Sequence, residues 1–261
     1  MGEPSKPSLE FSGFAFGIRR NLPSLDSGWS MFAGDYLLYA ATGGFHLDVD
    51  DAQWFLPPQR AAWVAAGTPI RIWSQHPVTS SSVLFGQKVR DPLLAPCCVF
   101  APSALAREMI LYAMRWASDR ADDPAARPFF EALAGLCNEL AGQPERFWLP
   151  RALSDTVKSI TSYIHEHLAR PLSIAGLAQV VHVSERTLAR RFTQELSMTC
   201  GQFIHRARML RAMELLTENN QTITEIAGAV GFESLSAFTS GFRVFTQESP
   251  TQYRKRVLAS G

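Results

Sequence analysis

The chain has 261 residues, 46% hydrophobic and 19% charged, with 17 Gly and 16 Pro. That is room for two domains with real apolar cores, and it excludes a disordered, collagen-like or coiled-coil chain. The net charge of +1 is unevenly spread: residues 1–150 hold 12 Lys and Arg against 15 Asp and Glu, whereas residues 151–261 hold 13 against 9. A basic second part is expected to meet a polyanion.

No run approaches the roughly 18 uninterrupted apolar residues of a membrane span. The start, Met1 to Leu9, is polar and Pro-rich without an apolar signal core. A cytoplasmic protein with no membrane partner is the expectation.

In chain order, short apolar or alternating runs come first: Tyr36 to Ala41, Phe45 to Val49, Trp54 to Leu56, Ala61 to Val64, Ile70 to Trp73 and Val83 to Phe85. Gly, Pro, Asp and Ser clusters separate them, the signature of a β-sandwich or barrel. Gly43-Gly44 suits a tight hairpin turn, and Pro57-Pro58 and Gly67-Thr68-Pro69 mark further reversals. From Ser103 to Ala117 and Pro128 to Leu140 the spacing becomes helical, with Leu105, Met109, Tyr112 and Trp116, then Phe130, Leu133, Cys137 and Leu140 in register.

A Pro-containing connection, Gly142 to Pro150, precedes a wholly helical part. Ser154, Ser173 and Ser184 are placed to cap helices running to about Leu168, Val181 and Leu196. Thr199 with Gln202 resembles a capping box for a long helix ending near Glu218, Thr222 with Glu225 forms a second box, and Ser249-Pro250 opens a final helix.

Neither the four cysteines nor the six histidines suggest a metal site or cofactor. Cys97, Cys98, Cys137 and Cys200 contain no CxxC pair, and His165 and His167, two apart on a helix, point to different faces. His46 and His76 are too few to hold a metal.

One pattern occurs twice in the helical part. Leu177-Ala178, Val181 and Val183 match Ile226-Ala227, Val230 and Phe232 at an offset of 49; Ser184, Leu188 and Phe192 match Ser234, Phe238 and Phe242 at an offset of 50. Each copy reads as helix, short turn and capped helix, the helix-turn-helix spacing, with one residue inserted in the second turn. Gly231 supplies a turn residue free of β-carbon strain. At 100° per residue, Leu188, Phe192 and Leu196 face inward in the first copy, leaving Arg186 and Arg190 outermost, flanked by Thr187, Thr193 and Gln194. In the second, Phe238, Phe242 and Phe245 face inward and Ser236, Ser240 and Arg243 face out, with Thr239 beside them. Arginines and hydroxyls suit the DNA major groove. The helix between the copies, Cys200 to Glu218, would be about 28 Å long at 1.5 Å per residue, and could hold both readers in successive groove segments about 34 Å apart.

These residues resemble the AraC/XylS family of bacterial transcription regulators over about 154–256. The similarity lies in Leu177-Ala178, in Ser184 through Phe192, in Arg208 through Leu216, in Gly231-Phe232-Glu233-Ser234, and in Phe238, Phe242, Ser249-Pro250 and Tyr253-Arg254. The resemblance implies seven helices with two readers, and base-contacting positions at Arg186, Ala189 and Arg190, then at Leu235, Ser236, Thr239 and Ser240. The family commonly has glycine after each reading helix; here Ser197 and Gln247 stand there. Either the caps are left-handed and strained, by on the order of 1 kcal/mol each, or they take another shape.

The first part resembles the cupin-type sensory domain of such regulators, with Trp54 through Val64 as the best-matching segment. It has Ile70 where relatives often place a histidine. The resemblance implies a small-molecule effector, with Tyr39, Trp54, Trp63 and Trp73 either lining its pocket or serving as core. It also implies a homodimer contact through the two helices, with Leu133, Leu136 and Leu140 as interface residues or as packing against the barrel, and RNA polymerase as a further partner.

The expected fold is α+β with two domains: residues 1–141 a cupin-like jelly roll with two helices, 142–153 a linker, and 154–261 an all-α double helix-turn-helix domain. The expected function is sequence-specific regulation of transcription on double-stranded DNA, more readily activation than repression, without catalysis. The rivals are a metal-dependent cupin enzyme and a DNA-compacting protein indifferent to sequence.

Overall fold

The computed structural model describes residues 13–49, 52–92, 94–120, 123–218 and 221–258. They divide into two compact units: residues to 49 with Trp54–Phe147, and Ala52–Gln53 with Trp148 to 258.

The first unit is a jelly roll. Its strands are β1 (Ala15–Leu22), β2 (Leu25–Ser30), β3 (Tyr36–Thr42), β4 (Phe45–Val49), β5 (Ala52–Leu56), β6 (Ala61–Val64), β7 (Ile70–Ser74), β8 (Val78–Phe85) and β9 (Cys97–Phe100). One sheet runs β1-β8-β3-β6-β9, and the other runs β5-β4-β7-β2 within this unit. Successive strands from β1 to β4 thus alternate between sheets, the jelly-roll connectivity. Gly43-Gly44 therefore makes no hairpin: β3 and β4 lie in different sheets. Gly43, at φ +68, carries the chain across where a Cβ would lie 2.4 Å from the Pro77 carbonyl oxygen.

Helices α1 (Ala104–Tyr112) and α2 (Ala126–Ala141) cover one face of the first sheet. The core beneath them takes Leu37, Tyr39, Trp63, Val83 and Phe85 from the strands and Ile110, Phe130, Leu133 and Cys137 from the helices. This bears on two alternatives that the sequence leaves open. Tyr39 and Trp63 point to the helix-covered face, because Leu37 pairs with Trp63 and Tyr39 with Ala61 on one side of the pleat. They do not line the space between the sheets. Leu133, fully buried in the same core, has no surface to offer a partner, whereas Leu136 and Leu140 are half-buried.

Trp73 also faces away from the space between the sheets. Its ring stacks on His46 at 4.0 Å, and its Nε1 donates to Asp48 at 3.1 Å. Trp54, next to the His46-contacting Phe55, alternates to the opposite face. All four cysteines are buried free thiols; burial pushes Cys137 up to about 12 and Cys200 to about 11. Among the described residues no group of three or more His, Cys, Asp or Glu could hold a metal ion, and no helix is long and apolar enough to cross a membrane.

The second unit begins with β10 (Trp148–Pro150) and continues as seven helices among the described residues: α3 (Asp155–Glu166), α4 (Ile174–Val180), α5 (Glu185–Leu196), α6 (Cys200–Glu218), α7 (Ile223–Ala229), α8 (Leu235–Thr246) and α9 (Pro250–Leu258). The starts lie where the caps predict. Ser154, Ser173 and Ser184 accept from Val157, Gly176 and Thr187 N–H groups. Thr199 and Gln202 exchange bonds of 3.2 and 2.8 Å, and Thr222 and Glu225 do the same at 3.2 and 2.7 Å.

Helix α6 is buried on more than the single stripe of Phe203, Ala207, Leu210, Met213 and Leu216. Ile204, Met209, Ala212 and Leu215 are buried as well. Burial over this much of its circumference means that the helix is enclosed by neighbours, and α6 packs against α5 before it and α7, α8 and α9 after it.

Candidate nucleic-acid interface

The two bihelical units share a backbone scheme down to single hydrogen bonds. In α4–α5 the Val183 N–H donates to Ala178 O at 3.1 Å; in α7–α8 the Phe232 N–H donates to Ala227 O at 2.9 Å. The residue before each donor is left-handed, His182 at φ +53 and Gly231 at φ +81. This is how a helix ends on an αL residue while its last carbonyls stay satisfied. The inserted residue falls after this motif, between Phe232 and the cap Ser234.

Gly231 is required by more than its dihedral. A Cβ there would meet Leu168 O at 2.2 Å and the Arg208 guanidinium at 2.6 Å. Arg208, from α6, donates to Leu168 O at 3.2 Å and Arg170 O at 2.9 Å, with its guanidinium carbon 5.8 Å from the centre of the Phe232 ring. One side chain thus joins the end of α3 to the turn of the second bihelical unit. Burial holds its pKa below the usual arginine range.

The inward faces of the reading helices are apolar. Leu188, Phe192 and Leu196 are buried in α5, and Phe238 and Phe242 in α8. The third inward member in α8 is Thr246, not Phe245, which is half-buried. The Thr246 hydroxyl is shared between the carbonyls of Phe242 at 2.9 Å and Glu248 at 3.0 Å, which lets a polar side chain occupy a core position.

The outward faces carry every residue singled out in the sequence. On α5, Arg186 and Arg190 are exposed, and Thr187 and Ala189 are half-exposed beside them. On α8, Leu235, Ser236, Ser240 and Arg243 are exposed, with Thr239 half-exposed. Within the described residues none of the three arginines enters an ion pair, so their charge is directed to solvent. Positions 186 and 190 superpose in the repeat on 236 and 240, so two arginines in the first reader become two serines in the second; the cation returns one turn later, at Arg243 opposite Thr193. Val244, 74% exposed and equivalent to Gln194, is a further outward residue that the sequence reading passed over.

Both reading helices end on left-handed non-glycine residues: Ser197 at φ +54 and Gln247 at φ +64. Of the two possibilities left by the sequence, the strained cap is the one adopted. Each retains its stop bond, Ser197 N–H to Thr193 O at 3.0 Å and Gln247 N–H to Arg243 O at 2.9 Å.

Comparison with known proteins agrees with this architecture. Residues 177–256 match the family described as a helix-turn-helix domain. The chain is 24% identical over 247 residues to the HTH-type transcriptional regulator NimR of Escherichia coli (strain K12), covering 93% of this chain and 88% of that protein. It is 36% identical over 100 residues to an uncharacterized HTH-type transcriptional regulator of Staphylococcus aureus (strain COL), covering 38% of this chain but only 13% of the relative. Among solved structures, the C-terminal domain of AraT, a response regulator from Geobacillus stearothermophilus, is 32% identical with a TM-score of 0.39, over 40% of this chain and 87% of that one. The chain is thus similar to proteins named as HTH-type transcriptional regulators. Residues 177–256 carry a helix-turn-helix domain.

Proposed function

We propose that the protein binds one operator through α5 and α8, and that its first unit senses a small-molecule effector and so sets promoter occupancy. Residues 1–141 serve as the sensory and dimerising domain, 142–153 as linker and 154–261 as the DNA-binding domain. The carrying observation is the pair of matched bihelical units, each with an apolar inner face and an exposed cationic or hydroxyl-bearing outer one.

Arg186 and Arg190 lie in the first two turns of α5, the part of a recognition helix that reaches base edges. Arginine can fork onto guanine O6 and N7, whereas Ala189 offers a methyl group to thymine. Thr187 belongs to the same face. In α8, Leu235, Ser236, Thr239 and Ser240 meet base edges or sugar, and Arg243, a turn further along, suits a phosphate. Sequence discrimination therefore rests mainly on the first reader.

Of the four aromatic residues considered for an effector, only Trp54 keeps that assignment. Exposed Leu105 and Tyr112 on α1, together with half-buried Leu136 and Leu140 on α2, support homodimer formation through these helices. Activation with RNA polymerase as partner, action in the cytoplasm and the absence of catalysis complete the reading. An effector changes occupancy only as far as it binds two arrangements of the protein unequally.

The test is binding to an operator selected from random DNA by the full chain. Arg186→Ala and Arg190→Ala should each cost on the order of 1 to 3 kcal/mol on that operator and far less on scrambled DNA at fixed salt. Equal losses on both would replace specific regulation with indiscriminate compaction.

A further inference from the structure

On the back of α5, at 100° per residue, Glu195 lies directly opposite Arg186. Its carboxylate leaves the helix altogether. One oxygen accepts from the Leu153 N–H and, at 2.8 Å, from the Ser154 N–H; the other accepts from the Ser154 hydroxyl at 2.6 Å. Ser154 is itself the cap of α3, accepting from Val157 N–H. The start of α3 is therefore tied to the reading helix by three donors on one carboxylate. Arg191 adds a weaker link, its Nη1 3.5 Å from Thr156 Oγ1.

The segment that precedes α3 is also fastened at its other end. The Arg206 guanidinium on α6 lies 5.2 Å from the centre of the Trp148 ring and 3.4 Å from the Trp148 carbonyl oxygen. Leu149 and Ala152, between the two fastenings, are buried. Residues 148–154 thus bridge from the helix that spaces the readers to the back of the first reader. Burial raises the Glu195 pKa, but the bonds from Ser154 and Leu153 outweigh it and hold the group below the usual carboxylate range, so it is an anion at neutral pH.

We infer that Glu195 is a positioning residue for DNA reading: through its grip on Leu153 and Ser154, the segment 148–154 sets the pose of α5 and hence where Arg186 and Arg190 fall in the groove. This rests on the reading of α5 as a base-contacting helix. Charge-assisted bonds to one rigid helix make a discrete, breakable contact, the kind of element that two sites can both bias. A shift of 153–154 must either carry α5 with it or strip the carboxylate of its donors.

The test uses the full chain with its selected operator and a scrambled duplex. Glu195→Ala should weaken operator binding by on the order of 3- to 30-fold. Scrambled DNA should be bound within twofold of the parent, and amide exchange should rise in both 153–158 and 185–196. Glu195→Gln, which keeps one acceptor oxygen, should recover part of the loss, and it supplies the measurement if the alanine variant fails to fold. With Arg186→Ala and Arg190→Ala both present, Glu195→Ala should add little, because both mispositioned arginines are gone.

If Glu195→Ala lowers stability while operator affinity of the folded protein stays within twofold, Glu195 is only a cap for α3 and the inference is overturned. Equal weakening on scrambled DNA, or full additivity with the double Arg186→Ala and Arg190→Ala variant, overturns it as well. Failure of Arg186→Ala itself to affect the operator sinks the reading of α5, which is a different outcome from failure of the Glu195 variants alone.

Discussion

The two bihelical units are built to one plan and finished differently. Their inner residues, turn bonds and caps coincide at offsets of 49 and 50, yet the outer ridge of α5 begins with Arg186 and Arg190 where α8 has Ser236 and Ser240. Their turns differ too: the left-handed position is His182 in one and Gly231 in the other. Packing constrains one side of each reading helix and leaves the other free to change. A residue's interchangeability between the copies therefore shows which role it has.

The largest effect expected from exchanging equivalent residues is at the turns. Gly231→Ala should cost about 3 kcal/mol or more in urea unfolding, since positive φ and the Leu168 carbonyl both oppose a Cβ. His182→Gly should instead stabilise by about 1 kcal/mol, because glycine relieves the left-handed strain at φ +53. Equal responses would show the turns to be alike after all.

Next come the ridges. Ser236→Ala and Ser240→Ala should cost less than about 1 kcal/mol each in operator binding, below either arginine substitution in α5. A serine loss that matches an arginine loss would make the readers equal partners. The caps follow: Ser197→Gly and Gln247→Gly should each raise stability by about 1 kcal/mol, read as a higher unfolding midpoint, because both relieve an αL side chain.

The smallest effect is in acid. Hydrogen bonds from the Thr222 N–H and hydroxyl hold the Glu225 carboxyl below its usual range. Its contribution is then fully present above the ordinary glutamate pKa and is lost as pH falls through the lower folded value. Thr222→Ala, which removes the hydroxyl bond but keeps the backbone N–H, should make that acid limb of the stability profile shallower, whereas Ser173→Ala, in the equivalent cap without a carboxylate, should not.

The helical unit was easier to read than the jelly roll for a physical reason. Caps and amphipathic stripes are local, so Ser154, Ser173, Ser184, Thr199, Thr222 and Ser249 located six helix starts. Strands depend on remote partners. Thr79 through Ser82 look like a linker in composition, yet they lie inside β8, held between β1 and β3, and β1, β2 and β9 went unrecognised. Which face an aromatic strand residue takes depends on the sheet it joins, so Tyr39, Trp63 and Trp73 could not be assigned to a pocket from periodicity alone. Arg208 and Glu195 were missed because their partners lie about 40 residues away and no spacing rule links them.

Local chemistry was enough to establish a duplicated helix-turn-helix plan, its caps and the outward ridges, because these depend on neighbours within a turn or two. Long-range packing decided the rest: that α6 is enclosed on more than one face, that Leu133 is core, that the caps accept left-handed strain, and that the back of α5 grips the start of α3. Those outcomes depend on which distant groups share a place, and only the folded chain brings them together.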